Sequence, residues 1–479
     1  MSMAIGDERE ATNIGVEFQG AAGLGDRRLE ARLVAVAERI RAAPEESFPD
    51  IMGSEAELTG LYRLLNNGAV SLGTILEPHQ QQTATRCAES GRVLVLHDTT
   101  EAKFSGVAKR RGLGRLRSPR DQGLLLHLAL AVAADGSRRP LGVLDVHCWV
   151  REELGSARDA DGRRRNGDAY SDIADKESNR WWDLIDRAEN RLGGVEAIHV
   201  FDREGDSYVL LHTALENDAR FVARMARDRV VLDEDGDRIG HTSEALLDIV
   251  SVITLEVSLS PRAAKKTPRV TDEPRLARSA RLAVGATRMH LAPPNYIDGT
   301  PESLAVNVVY VGEVDAPPDV EPIGWVLITT EPIDTLEQIS AVVEAYRTRW
   351  LIEEFFRALK SGCALEKRQL ESYESITAAL GIFLPIAWQL LLLRNLARTQ
   401  PNESAELVLT PTQIDVLRAA VPKLARVEHP TVAEALRAVA YLGGHFIKRD
   451  PGWIVLGRGL EKLLDLELGW QLAKRCDRT

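Results

Sequence analysis

Cysteine is scarce and never paired by spacing. The four cysteines in 479 residues, Cys87, Cys148, Cys363 and Cys476, stand singly with no C-x-x-C arrangement. That excludes a zinc site and a disulfide framework, and it fits a reducing cytoplasm. Long hydrophobic runs are missing too. The longest apolar stretch, GIFLPIAWQLLLL from Gly381, is too short to span a bilayer and contains Pro385, and the first residues are acidic and polar rather than those of a signal peptide. Net positive charge is lacking as well: at −11 the whole chain repels a polyanion. With 44% hydrophobic content over 479 residues, the chain is long for one core, and two to four domains are expected.

The charge is unevenly spread. From Lys103 to Arg120 there are seven Lys or Arg and no acid, and from Arg262 to Arg288 eight basic residues face two acids. Such segments can contact phosphates although the total is acidic; the alternative is a solvated loop.

The most informative pattern is Y-x-x-R-x-x-x-E-x-x-x-x-x-x-K, formed by Tyr346, Arg349, Glu353 and Lys360 inside EAYRTRWLIEEFFRALKSG. On a helix these four fall within roughly 60° of arc, one stripe along the cylinder. Leu351, Ile352, Phe355, Phe356 and Leu359 gather on the far side as a packing face. The stripe sets a carboxylate between two cations and a phenol, the residue types that phosphodiester chemistry uses to hold metal and phosphate. A solvated face knit by i,i+4 pairs is the plainer account of such a helix. Trp350 reads as core or helix flank.

Two further acids follow short apolar runs. Asp98 ends RVLVLHD and Asp202 ends AIHVFD, each reading as a buried strand whose last residue emerges at a sheet edge. Turn-forming or helix-capping roles are the alternatives. His97 alternates with Asp98 and is expected to pack on the opposite face. Asp206 reads equally well as a surface salt-bridging acid.

Asp98, Asp202 and Glu353 make an ordered Asp, Asp, Glu set, and here the sequence resembles the DDE transposases of the insertion-sequence-four family. The resemblance is carried by HDTT at His97 to Thr100, FDREGD at Phe201 to Asp206, GWVLITTEP at Gly324 to Pro332, and the stripe through Lys360. GLGDRR from Gly23, GLYRLLNN from Gly60, KESNRW from Lys176, VLTP from Val408 and LGG from Leu442 extend it over nearly the whole chain.

The pattern of elements is of the α+β and α/β kind, multidomain. Residues 1–88 read as a helical DNA-end-binding domain, with DRRLEARLVAVAERIRAA amphipathic and Ser54 and Glu57 at capping-box spacing. Residues 89–229 read as three strands, helix, strand, helix, strand, with a turn at Asp135-Gly136; the family has a ribonuclease-H-like (retroviral-integrase-like) core of this order. Residues 230–320 alternate short β-like runs with Pro, Gly and charge, where the family carries a β-rich insertion. Residues 321–399 complete the core with the Glu-bearing helix, and 400–479 return to helix. The apolar positions Leu436, Val439, Leu442, Leu460, Leu463, Leu464, Leu468 and Leu472 must cover the protein's own core or a partner; in the family this region pairs two protomers.

The resemblance implies a cut-and-paste DNA transposase. Asp98, Asp202 and Glu353 are its catalytic metal ligands, holding two Mg²⁺ ions for which Mn²⁺ can substitute. Water frees a 3′-hydroxyl at the transposon end, that hydroxyl attacks the opposite strand to form a hairpin, water reopens it, and the 3′-hydroxyl joins target DNA. Tyr346, Arg349 and Lys360 contact phosphates, and Trp325 stacks on a flipped base, a core tryptophan being the alternative. Arg203 and Glu204 support the metal ligands. The implied partners are the inverted-repeat ends, target DNA and a second protomer in the synaptic complex, with no membrane. The implied location is a bacterial cytoplasm, on the nucleoid when DNA is bound. A ribonuclease-H-like nuclease that cuts without joining is the runner-up, and an inactive domesticated DNA-binding relative comes third because every motif residue is intact.

Overall fold

The computed structural model describes residues 14–21, 24–104, 109–116, 121–150, 177–259, 265–266, 271–272, 276–294, 303–318, 320–445 and 451–476. Lys176 of KESNRW, Arg117, Arg120, Arg262, Arg269 and Arg275 of the basic segments therefore lie outside the described residues. The chain forms two compact units. The first comprises 1–165, 184–196 and 350–479, and the second 166–183 and 197–349.

The chain enters the first unit through a 3₁₀ turn at Ile14–Phe18 and the helices α1 (Arg27–Ala42), α2 (Phe48–Ile51), α3 (Glu55–Leu65) and α4 (Leu72–Ser90). Asp26 caps α1 by accepting from the Arg28 N–H, and Leu33, Val36, Ala37 and Ile40 are its buried stripe. Ser54 caps α3 as its spacing predicts, but Glu57 does not close the box; its carboxylate turns to Arg39 at 2.6 Å. Gly91, at φ +74°, terminates α4 in a backbone region that costs other residues strain and delivers the chain into the first strand.

That sheet is antiparallel. β1 (Arg92–Phe104) pairs on one side of β3 (Gln122–Ala133), while β4 (Pro140–Trp149) and the short β2 (Gly114–Arg115) pair on its other side. Nearly all of β3 is buried, so both its faces are covered. Asp98 does not end its strand as expected. β1 continues to Phe104, in register with β3 down to Phe104 opposite Gln122, because the polar run after Asp98 still alternates and pairs. Asp98 is thus mid-strand.

After α5 (Glu177–Leu192) come the strands of the second unit. β5 (Glu196–Phe201) runs parallel to β6 (Phe221–Arg224), with α6 (Tyr208–Glu216) between them in the chain. Then come β7 (Val230–Leu232), β8 (Arg238–His241), α7 (Thr242–Ala245), β9 (Ile253–Leu259), the short pair β10 (Lys265–Lys266) and β11 (Thr271–Asp272), β12 (Arg278–Leu291), β13 (Leu304–Val314) and β14 (Gly324–Thr329). The order is β5, β6, β14, β13, β12, with β7 and β9 both pairing β12 and β8 pairing β7. The expected β-rich insertion is therefore an antiparallel extension of the β6 sheet, joined to it through β14.

The long stripe helix is segmented into α8 (Leu336–Thr348), α9 (Trp350–Arg357) and a π-turn at Ala358–Gly362. Arg349 breaks the hydrogen-bond ladder yet keeps right-handed helical dihedrals, φ −49° and ψ −31°. Ile352, Phe355, Phe356 and Leu359 are buried as predicted. Trp350 is 52% exposed, with the Arg357 guanidinium over its ring, so it is a flank rather than core.

α10 (Tyr373–Thr399) corrects the reading of GIFLPIAWQLLLL as a short segment. It is 27 residues long, runs through Pro385, and has a window of mean hydropathy 2.1, long and apolar enough to cross a membrane; that window is wholly buried inside the protein. Gly381 lets α4 approach closely, since a Cβ there would lie 2.9 Å from Ile75 Cβ. The chain ends with α11 (Pro411–Ala420), α12 (Val432–Leu442) and α13 (Trp453–Cys476). Val439, Leu460 and Leu463 are buried, and α13 packs on α1, α11 and α12, so these tail positions cover the protein's own core.

Candidate active site

The residues expected to do chemistry divide between the units: Asp98, Glu353 and Lys360 belong to the first, and Asp202, Trp325, Tyr346 and Arg349 to the second. In the first unit, strand alternation puts Asp98 and Thr100 on one face of β1 and His97 and Thr99 on the other. His97 is fully buried and stacks on His127, ring centroids 5.8 Å apart, while Thr99 Oγ1 lies 2.8 Å from His127 Nδ1. His97 is a packing residue, as its alternation with Asp98 predicts. Asp98 is 8% exposed, and its Oδ1 accepts the Thr99 N–H at 2.8 Å, which fixes the carboxylate's rotation.

The helix α9, which bears Glu353, packs against β1. Glu354, its neighbour, points away and is gripped by Arg398 at 3.0 and 3.1 Å. Lys360 follows on the π-turn, where the Cys363 N–H bonds back to the Ala358 carbonyl and shifts the helical phase. Its Nζ donates to Thr100 Oγ1 at 2.7 Å and lies 4.0 Å from Glu366. Desolvation lowers the Lys360 pKa; the Glu366, Glu101 and Glu353 carboxylates work against that shift, while Lys103 adds to it. Thr100 and Glu366 were not singled out by sequence reasoning, although Thr100 stands two places after Asp98 in HDTT, on the same strand face.

In the second unit, Asp202 follows the buried end of β5 as expected, and it also caps a 3₁₀ turn at Arg203–Gly205, its Oδ1 accepting the Glu204 N–H at 2.9 Å. Both readings of this residue hold at once. Its Oδ2 lies 3.8 Å from Arg349 Nη1. Arg203 and Glu204 are exposed on that turn. Asp206 is not a surface acid: it is 4% exposed, accepts the N–H groups of Ala226 and Arg227 at 2.6 and 3.0 Å, and pairs with the buried Arg229. Those bonds clamp the turn behind Asp202 to the chain leaving β6. Trp325 meets Tyr346 edge to face, centroids 5.4 Å apart, and Tyr346 is buried while Trp325 is half-buried.

The second basic segment is less available than its sequence suggests. Arg278, Arg281 and Arg288 pair with Glu313, Asp315 and Asp334. The Arg278 pair is largely buried, whereas Arg281 and Arg288 are exposed at 54% and 70% of their side chains, so water and salt weaken those two pairs and a phosphate can compete for them.

Among the described residues, no group of three or more His, Cys, Asp and Glu side chains that could hold a metal is assembled. The donor chemistry of the expected set still fits a hard divalent cation. It consists of carboxylate oxygens alone, with Asp98 and Asp202 each pinned through one oxygen.

Asp98 on β1, the helix bearing Glu353 packed on that strand, and Lys360 bonded to Thr100 of the same strand lie together in the first unit. Residues 16–70 match the family Transposase DNA-binding, and residues 175–386 match the family Transposase DDE domain. The chain is accordingly a DDE transposase, with a DNA-binding domain ahead of a core of the ribonuclease-H-like kind that the DDE match implies. Among solved structures it is similar to a piggyBac transposase synaptic complex with hairpin DNA, at 10% identity over 95% of this chain and 85% of that one, with a TM-score of 0.32.

Proposed function

We propose that the protein is a cut-and-paste transposase of the insertion-sequence-four type, resembling the transposase of the composite transposon Tn-five. Asp98, Asp202 and Glu353 would hold Mg²⁺, which when bound activates the attacking oxygen and stabilises the leaving one. The protein's own groups bind and orient DNA. Lys360 and Arg349 hold phosphates beside the cut, Tyr346 hydrogen-bonds another, and Trp325 stacks on an unpaired base, an interaction of about 1–3 kcal/mol. Hydrolysis frees a 3′-hydroxyl, which displaces a 3′-oxygen on the opposite strand to give a hairpin; after hydrolytic reopening, the same hydroxyl attacks target DNA. Two protomers and two ends form the reacting complex, and the protein works in the bacterial cytoplasm.

One observation carries this reading. Asp98, the Thr100–Lys360 contact and the packed helix bearing Glu353 converge on β1, beside a match to the DDE domain. The test is Asp98→Asn, Asp202→Asn and Glu353→Gln on a duplex bearing the inverted repeat that flanks the coding region, with Mg²⁺. Each variant should lose cleavage and keep end binding, because affinity comes mainly from cations elsewhere. A variant that cuts at near wild-type rate removes that residue from the site.

A further inference from the structure

We propose that Thr100 is a positioning residue that holds the Lys360 ammonium on the face of β1 carrying Asp98. This rests on the reading of Lys360 as a phosphate contact at the cut and names what places it there. A lysine is a point charge on a flexible four-carbon stem, so an unanchored one spreads its charge over many positions. Lys360 is anchored. Its Nζ donates to Thr100 Oγ1 at 2.7 Å, the length of a charge-assisted hydrogen bond, and its side chain is only 28% exposed.

The second anchor returns to the same strand. Glu366 lies 4.0 Å from Lys360 Nζ, and its Oε1 accepts the backbone N–H of Lys103 at 3.0 Å. Thr100 and Lys103 both belong to β1, so the strand that carries Asp98 also fixes the cation. An ammonium has three donors; with one spent on Thr100, the others remain for phosphate oxygens. Thr100 itself touches no reacting atom. Its methyl-for-hydroxyl replacement keeps shape and β-branching, leaving Glu366 as the ammonium's remaining anchor.

The experiment is a mutant cycle in the full-length protein, with Mg²⁺ and a duplex bearing the flanking inverted repeat, read as single-turnover cleavage rate and end affinity separately. Thr100→Val should slow cleavage about tenfold or more, the scale of a hydrogen bond to a charged group, with end affinity changed less than about threefold. Thr100→Ser should restore the rate to within about threefold of wild type, which a packing role for the methyl would not predict. In the Lys360→Ala background, Thr100→Val should cost nothing further. If Lys360→Ala slows cleavage but Thr100→Val does not, or if the two losses multiply, the positioning role is refuted while the reading of Lys360 stands. If Lys360→Ala cuts at the wild-type rate, that reading falls and the proposal with it. Circular dichroism checks folding; should the valine variant not fold, Thr100→Ala takes its place in the cycle on the same terms.

Discussion

Replacing Glu17 with Gln should loosen the N-terminal end of the chain by about 3–5 kcal/mol, the cost of removing one partner from a buried ion pair. Glu17 and His79 are fully buried. Arg86 reaches Glu17 through two hydrogen bonds of 2.9 and 3.3 Å, donates to the Leu141 carbonyl at 2.6 Å, and lies 4.2 Å from the Trp388 ring centroid. His79 Nε2 accepts the Val143 N–H at 3.0 Å, so its proton sits on Nδ1 and is donated to Glu17. One carboxylate thereby ties the 3₁₀ turn to α4, β4 and α10. Burial alone raises the Glu17 pKa; the His79 and Arg86 contacts outweigh it and hold the carboxyl at about 2. A depressed carboxyl stabilises the fold above its unfolded value of 4.5, and that contribution is lost as pH falls from there towards 2. Hydrogen exchange followed by mass spectrometry should show residues 14–42 opening faster in Glu17→Gln, and in wild type as the medium is acidified through that window. Glu17→Leu with Arg86→Met together should recover only part of the loss, since the apolar pair leaves no buried charge but takes the acceptor from the buried His79 Nδ1–H. Exchange in Glu17→Gln indistinguishable from wild type would refute the argument.

Two other outcomes follow from the site. Lys360→Ala and Arg349→Ala should each weaken end binding and flatten the plot of log affinity against log salt by roughly one unit per lost phosphate contact; unchanged slopes would remove those residues from the DNA interface. Trp325→Ala should leave the first nick intact and slow hairpin formation, as read on denaturing gels, and an unchanged hairpin yield would return Trp325 to a packing role against Tyr346.

Much of this architecture was legible because it is local. The short apolar runs that lead to Asp98 and Asp202 and the helically spaced far-side residues Ile352, Phe355 and Leu359 are local signals, and such signals survive folding. What sequence could not supply depends on partners distant in the chain. The extension of β1 past Asp98 is fixed by pairing with Gln122–His127, and the burial of Asp206 by Arg229 and the amides of Ala226 and Arg227. Neutralisation of Arg278, Arg281 and Arg288 needs carboxylates on other segments. The helix through Pro385 is likewise decided by tertiary cover rather than by the proline. In the tail, apolar spacing alone left open whether Leu460 and Leu463 face a partner; their packing among α1, α11 and α12 buries them within the chain, so deleting α12 and α13 would strip cover from Leu390, Leu393 and Leu409.

Strand transfer at a carboxylate site is what separates a transposase from a nuclease. Purified protein is incubated with Mg²⁺, a linear DNA ending in the flanking inverted repeats, and a supercoiled target, and the junctions are sequenced. Transposon 3′ ends should be found covalently joined to target DNA, with joining lost in Asp98→Asn, Asp202→Asn and Glu353→Gln. Cleaved ends that never join the target would instead make the protein a nuclease and contradict the proposed function.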